Sequence, residues 1–466
     1  MLQSLFLILM AGGVPVAIAM AGASLIYILS TGTLPPFVVI HRMVNGIDSF
    51  PLLAVPFFIL AGNLMNNAGI TNRIFDMAMA LVGWLKGGMG HVNVVASIIF
   101  SGMSGTAIAD AAGLGTIEIK AMQDNGYPTE FAVGVTAASA TLGPIIPPSL
   151  PIVIYAMMAN TSVGGMFLGG IVPGLLIAIL IMATVTYFAW RNGWGGDAKF
   201  ALGRFGKALL EILIVVGWPL ALWALVQLGG FPPRTTVFVG LILLFLADWK
   251  FGFVAVLPMM TPVLLIGGMT VGLFTPTEGA IAACLWAMIL GLFWYRTLSF
   301  KMFVKVCLDT VETTSVVMFI VAASSIFSWM LTATGVTADI ASWILGVTET
   351  PWKFLLLANA LMLFVGCFLE PVAAITILVP ILLPITAALG IDPMHFGLVM
   401  VLNLMIGLLT PPVGLVLFIM ARISKLSIER TMVAILPWFI PLLLSLGVIT
   451  YVPQLVLWLP SLVYGQ

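Results

Sequence analysis

Hydrophobic residues run along this chain in long stretches separated by short polar or proline-containing breaks. The stretches suit membrane-crossing helices, which need about 20 apolar residues each. The windows 2–29, 50–68, 128–157, 166–190, 208–228, 236–248, 251–269, 271–295, 303–331, 394–421 and 432–460 predict crossings. Two further stretches, 92–122 and 355–388, carry small residues or a proline near their middles and predict helical hairpins that enter and leave on one side. The shortest window, 236–248, offers only about 20 Å of helix. The first has no basic leader or cleavage site and reads as a retained helix. Two windows are interrupted by proline strings, GPIIPPS at 143–149 and GLLTPP at 407–412. Proline donates no backbone hydrogen bond and strands carbonyls where no water can satisfy them, so such a break is tolerable where it lines a cavity or binds something. Broken segments at matching places in two halves are where transporters keep their binding sites.

Composition sets the class. The chain is 62% hydrophobic and 7% charged, with mean hydropathy +1.21, against about 25% charged in a soluble domain. It reads as an all-α polytopic membrane protein whose partner is the lipid bilayer, and a net charge of zero gives no reason for a nucleic-acid partner. Lys and Arg collect around Arg73 and Lys86, from Arg191 to Lys207, from Arg296 to Lys305 and from Arg422 to Arg430. The positive-inside rule makes these regions cytoplasmic. Threading the windows between them leaves Arg42, Arg234 and Lys353 as the basic residues outside. It also places the N-terminus in the cytoplasm and turns the two hairpins to face opposite ways. Cys284, Cys307 and Cys367 lie in apolar segments and read as small core residues.

An internal repeat accompanies this layout. LMNNAGIT (64–71) aligns with MLTATGVT (330–337) at an offset of 266, and the same offset carries SGMSGTA (101–107) onto the region of FLEPVAAITI (368–377). At an offset of 264, Pro147 and Pro148 fall on Pro411 and Pro412, and Gly143 falls on Gly407. GVPVA (13–17) answers TPTEG (275–279). An odd number of crossings separates the two hairpins, so the repeats are predicted to be inverted.

Taken together, NGIDSFPLLAVPFFILAGNLM (45–65), SGMSGTA, GPIIPPS, FTPTEGA (274–280), FLEPVAAITILVPILLP (368–384) and LLTPPVG (408–414) resemble the large membrane subunit of a tripartite ATP-independent periplasmic (TRAP) transporter. The chain departs from that family pattern between about Gly206 and Gly272, where it has room for three spans instead of one; an added helical hairpin including GGFPPRT (229–235) is expected. The resemblance implies a sodium-driven elevator-type carrier in a bacterial or archaeal inner membrane. It implies a small membrane subunit and a periplasmic binding protein that delivers a carboxylate-bearing solute such as a C4-dicarboxylate or a sugar acid. In domain terms, 1–91 would be first-repeat scaffold, 92–160 the first transport half and 161–354 scaffold with the second-repeat arm. The second transport half would be 355–421, and 422–466 a C-terminal scaffold helix.

The residues at the tips suggest how ions and solute would be held. Hydroxyls and close-approaching backbones around Ser101, Gly102, Ser104, Gly143 and Pro144 can surround a sodium ion, as can those around Gly366, Thr376, Thr410 and Gly414. Half-helix N-termini at the same depth point positive ends at an anion. Ser104, Thr106, Asp110, Pro147, Ser149, Glu370 and Thr376 are the expected solute-facing residues. Other readings stand beside these. The small residues can simply let helices pack in lipid, Glu370 can reach water at an outer mouth, and Glu278 can cap a helix. A channel would not need two inverted broken hairpins. Gly102-Met103-Ser104-Gly105 matches the GxSG of an intramembrane serine protease, but His395, the one distant candidate base, opens a helix near the outer surface. The chain is expected not to be an enzyme.

Overall fold

The computed structural model describes residues 1–32, 34–229, 240, 243–248, 253, 255–270, 273–348, 350–411 and 414–465, and every regular element among them is helical. The window 2–29 is not one crossing helix. It folds as α1 (Leu2–Ala11) and α2 (Val16–Thr31), packed on each other. Gly13 adopts a positive φ of 78° between them, and Pro15, without an N–H, sits at the start of α2. α3 (Phe37–Ile47) exposes Phe37, Ile40 and Val44 along one side, an apolar stripe suited to lipid. α4 (Ala54–Asn67) and α5 (Ile70–Val82) follow.

The first hairpin is formed by α6 (Gly88–Ser104) and a return arm. That arm is not a uniform helix: a turn at Ala107–Ala109 leads into a π-helical stretch, Asp110–Leu114, and then α7 (Gly115–Asp124). The first broken helix is α8 (Thr129–Ala140) and α9 (Leu150–Met158). α10 (Val163–Asn192) and α11 (Leu202–Gly229) come next, then α12 (Val256–Thr270). The turn of the expected extra hairpin, beyond Gly229, lies outside the described residues. Of 236–248 only 240 and 243–248 are described, and these are helical. α13 (Pro276–Met288) continues as a π-helical stretch to Trp294, followed by α14 (Phe300–Ala333) and α15 (Val336–Val347).

The second hairpin is α16 (Pro351–Gly366) and α17 (Pro371–Ala388), and the second broken helix is α18 (Pro393–Gly407) and α19 (Leu415–Ser424). The window 432–460 also divides. α20 (Ile428–Ile435) runs through a short 3-10 turn into α21 (Phe439–Tyr451), the chain turns at Val452 and Pro453, and α22 (Gln454–Tyr464) is separate. Among the described residues, Val163–Asn192, Pro276–Trp294, Phe300–Ala333, Pro371–Ala388 and Ile428–Tyr451 are long and apolar enough to cross a bilayer as single helices.

The sequence repeat has structural counterparts. Gly69 (φ 70°) and Gly335 (φ 76°) occupy the same hinge, between α4 and α5 and between α14 and α15. The halves also exchange contacts reciprocally: α9 of the first packs on α17 of the second, while α19 of the second packs on the π-helical stretch of the first. Reciprocal contact between corresponding elements is the mark of a two-fold relation. Around this interlocked centre, α10 packs against α6, α9 and α18, α20 against α8, and α21 against α10 and α18. On the other side, α14 gathers α2, α3 and α4, and α13 packs along α4 and α12.

The base of the first hairpin is tied down at the end of the molecule that carries Lys86, Arg191 and Lys199. Asp197 accepts hydrogen bonds from the Met89 backbone N–H at 2.7 Å and the Tyr127 hydroxyl at 2.6 Å, and the Gly87 N–H donates to the Gly195 carbonyl at 2.8 Å. The rings of Tyr127 and Trp194 meet at 4.8 Å. Burial, with Asp197 alongside, pushes the Tyr127 hydroxyl above its ordinary range, so it remains a donor.

Candidate functional site at the hairpin tips

At the first tip, α6 ends on Gly105 at φ 64°, a conformation that favours glycine, and Thr106 is extended with its hydroxyl accepting from the Ala109 N–H at 3.2 Å. The tip is wedged into the break between α8 and α9. Leu150 donates its N–H to the Gly105 carbonyl at 3.3 Å, and a Cβ on Gly105 would stand 2.7 Å from the Pro148 carbonyl oxygen. A Cβ on Gly143 would stand 3.1 Å from the Thr106 carbonyl oxygen. Ser149 caps α9, accepting from the Ile152 N–H at 3.3 Å while its hydroxyl donates to the Pro144 carbonyl.

The second tip repeats the arrangement. Gly414, at φ 42°, donates its N–H to the Cys367 carbonyl at 3.4 Å, the counterpart of the Leu150 to Gly105 bond. Gly366 and Gly407 cross so closely that a Cβ on Gly407 would lie 2.6 Å from the Gly366 Cα. Each tip therefore meets a break where one half-helix ends and another begins. Free carbonyls at the ends favour a cation, and free N–H groups at the starts favour an anion.

The expected site residues divide by position. Thr106, Gly143, Pro147 and Ser149 belong to the first junction, with Pro144 as the acceptor from Ser149. Ser104 is buried there and its hydroxyl has no hydrogen-bond partner among the described residues, leaving an oxygen available to an ion. Ser101 spends its hydroxyl on the Ser97 carbonyl at 2.5 Å, and a Cβ on Gly102 would stand 3.0 Å from the ring of Pro262 of α12. At the second junction, Thr410 donates to the Ile406 carbonyl and Thr376 to the Ala373 carbonyl, each at 2.9 Å. Glu370 is half-buried and caps α17, accepting from the N–H groups of Val372 at 3.1 Å and Ala373 at 3.4 Å. Pro412 lies outside the described residues. Asp110 lies not on the tip turn but buried in the π-helical stretch below it.

Glu278 completes a capping box with Thr275: its carboxylate accepts from the Thr275 N–H at 2.8 Å, and its own N–H donates to the Thr275 hydroxyl at 3.3 Å. His395, the base a serine protease would need, holds the Ile449 carbonyl at 2.9 Å, and it begins α18 while the second break follows that helix's other end.

Residues not anticipated from the sequence support both junctions. Gly62 of α4 leaves room for the tip, where a Cβ would meet the Ser104 carbonyl oxygen at 3.2 Å. Asn93 accepts from Ser139 at 2.7 Å, and Asn359 accepts from Asn403 at 2.9 Å. Asn93 maps onto Asn359 at the offset of 266, and Ser139 onto Asn403 at 264. The same two offsets used for the tips and breaks would have found this matched pair of buried polar contacts.

A family profile described as the DctM component of the tripartite ATP-independent periplasmic transporter matches residues 4–455. The chain is 39% identical over 460 residues to the sialic acid TRAP transporter large permease protein SiaM of Vibrio cholerae, covering 98% of each. It is 35% identical over 445 residues to the C4-dicarboxylate TRAP transporter large permease protein DctM of Pseudomonas aeruginosa, covering 96% of this chain and 94% of that one. Among solved structures, its fold is similar to that of the YdaH transporter of Alcanivorax borkumensis, with a TM-score of 0.57 at 16% identity over 88% of this chain and 86% of that one.

Proposed function

This chain belongs to the DctM family, the large membrane component of tripartite ATP-independent periplasmic transporters, and on that premise we propose that it imports a small carboxylate-bearing solute on a sodium gradient. It is a transport component and not an enzyme. A periplasmic binding protein delivers the solute and a small membrane subunit completes the permease in the bacterial inner membrane, with the N-terminus of this chain in the cytoplasm. The names of the relatives support either a sugar acid or a C4-dicarboxylate as the solute class.

The observation that carries this reading is the pair of equivalent tip and break junctions, joined by the Leu150 to Gly105 and Gly414 to Cys367 hydrogen bonds. Each gathers neutral oxygens without a cage of carboxylates, and the first includes the Ser104 hydroxyl, which has no partner among the described residues. Neutral ligands hold sodium weakly enough to release it, as a carrier requires. The helix starts beside them suit the solute carboxylate.

The interlocked hairpins and broken helices, 92–160 and 355–421, move as one body in this account. α10 and α20 to α22 pack on that body, so we assign them to it and not to the scaffold, which comprises α1 to α5 and α11 to α15. The test is a cysteine pair across the boundary in a background lacking the native cysteines. A Cβ at Gly102 stands 3.2 Å from that of Pro262, close to disulfide reach. Oxidising Gly102→Cys/Pro262→Cys should stop uptake and reduction should restore it. A pair within the body, Gly169→Cys/Val456→Cys, should leave uptake intact. Equal uptake before and after cross-linking the first pair would rule out relative movement of the two bodies.

A further inference from the structure

The first hairpin buries two carboxylic acids that the second does not have. Asp110 and Glu118 are each 1% exposed. One Glu118 oxygen accepts from the Asn93 amide at 2.6 Å, and that amide also donates to the Thr136 hydroxyl at 2.7 Å. Among the described residues the other Glu118 oxygen has no partner, nor has Asp110 Oδ2. Ser97, completely buried one turn along α6 from Asn93 and so on the same face of that helix, also has a hydroxyl without a hydrogen-bond partner among the described residues. Both acids stand on the return arm, whose π-helical stretch and α7 pack on α6.

Among the described residues, no lysine or arginine is buried with them. The other ionisable groups on the return arm and on the elements packed against it are His91 of α6, Lys120 and Asp124 of α7, Glu130 of α8 and Arg422 of α19. All but His91 are exposed, and His91 turns its Nε2 to the Thr186 hydroxyl at 3.4 Å. A buried carboxylate left uncompensated is strongly disfavoured, so the pair must acquire positive charge from elsewhere. The fold itself does not call for the acids, because the offset of 266 places Thr376 and Pro384 at the corresponding positions of the second hairpin.

We propose that Asp110, Glu118 and Ser97 form an internal site for a monovalent cation, a sodium ion or a proton, distinct from the two tip junctions. The site stands independently of the transport scheme, because it is read out by binding in the isolated chain without solute, partner or gradient.

The experiment follows the thermal unfolding midpoint of the purified full-length chain in two arms. One titrates sodium against choline at constant ionic strength, and the other varies pH between about 5 and 8 without sodium. If sodium fills the site, the wild-type midpoint rises with sodium, and Asp110→Asn or Glu118→Gln removes part of that rise. If a proton fills it, the wild-type midpoint falls as pH rises above the ordinary carboxylate range, and the same variants flatten the fall. Either outcome supports the site and names its occupant. Ser97→Ala removes a hydroxyl with no partner among the described residues, so it should fold normally; it should weaken a sodium response several-fold, and should steepen a proton response, because a hydroxyl beside the acid favours its charged form. Sodium and pH responses equal to wild type in Ser97→Ala, and in whichever acid variants fold, would overturn the proposal.

Discussion

Gly407→Ala tests whether the second junction depends on the close crossing of two backbones. The added methyl carbon would lie 2.6 Å from the Gly366 Cα, 2.7 Å from its carbonyl carbon and 2.9 Å from its oxygen. All three are backbone atoms, so the contact is relieved only by moving the tip of the second hairpin away from the break. Overpacking of this kind costs about 1–3 kcal/mol. Against it stands the helix preference of alanine over glycine, worth about 1 kcal/mol. Gly447→Ala isolates that second effect, because Gly447 lies within α21 and a Cβ there meets nothing within 4 Å. The two variants should therefore differ by about 1–3 kcal/mol, with Gly447→Ala raising the thermal midpoint and Gly407→Ala lowering it or leaving it unmoved. Displacing the tip also stretches the Gly414 to Cys367 hydrogen bond, already 3.4 Å long. A loss of about 1.4 kcal/mol from the ion-bound state would raise the sodium concentration for half-maximal uptake about tenfold. A Gly407→Ala protein as stable as Gly447→Ala, with an unchanged sodium requirement, would refute the close-crossing argument.

Ser104→Ala removes a buried hydroxyl that has no partner among the described residues, so the ion-free thermal midpoint should hardly move while the sodium requirement for uptake rises several-fold. Thr410→Val should raise the sodium requirement too, but with a lower ion-free midpoint, because its hydroxyl donates to the Ile406 carbonyl. Asn359→Leu deletes the hydrogen bonds to Thr450 and from the Asn403 side chain. It should cost about 1 kcal/mol, seen as a drop in thermal midpoint. Tyr127→Phe keeps the ring contact with Trp194 but loses the bond to Asp197; the loop at 193–198 should be cut faster by protease, with the global midpoint lowered by no more than about 1 kcal/mol equivalent.

The parts of the fold legible in the sequence were those marked by residues with special backbone chemistry. Gly105, Gly143 and the prolines at 144, 147 and 148 mark the first junction because only glycine accommodates such close approach and only proline strands so many carbonyls. Hydropathy windows were poorer guides, because averaging over an apolar stretch conceals a turn that is itself apolar. Gly12 to Pro15 and Val452 to Pro453 are such turns, and the first was already visible in the repeat, where Pro15 and Pro276 each stand at a helix start. Glu370 was read as a solute contact or as a group reaching water at an outer mouth, and its capping of α17 was missed although a glutamate before a proline at a helix start is suited to that role. Asp110 was expected to face solute because it follows the first tip by about one turn, whereas the return arm buries it at the start of the π-helical stretch. Asn93 and Asn359 show that an isolated amide in an apolar helix gains meaning once its repeat partner is found.

The central claim is that this chain is the sodium-coupled, partner-dependent large subunit of a three-component importer. Its most direct test is uptake into proteoliposomes containing this chain with the small membrane subunit, with the binding protein loaded with labelled solute outside. Uptake is predicted only when all three components and an inward sodium gradient are present. Full-rate uptake by this chain alone, or uptake that persists with choline in place of sodium and follows a proton gradient, would contradict it.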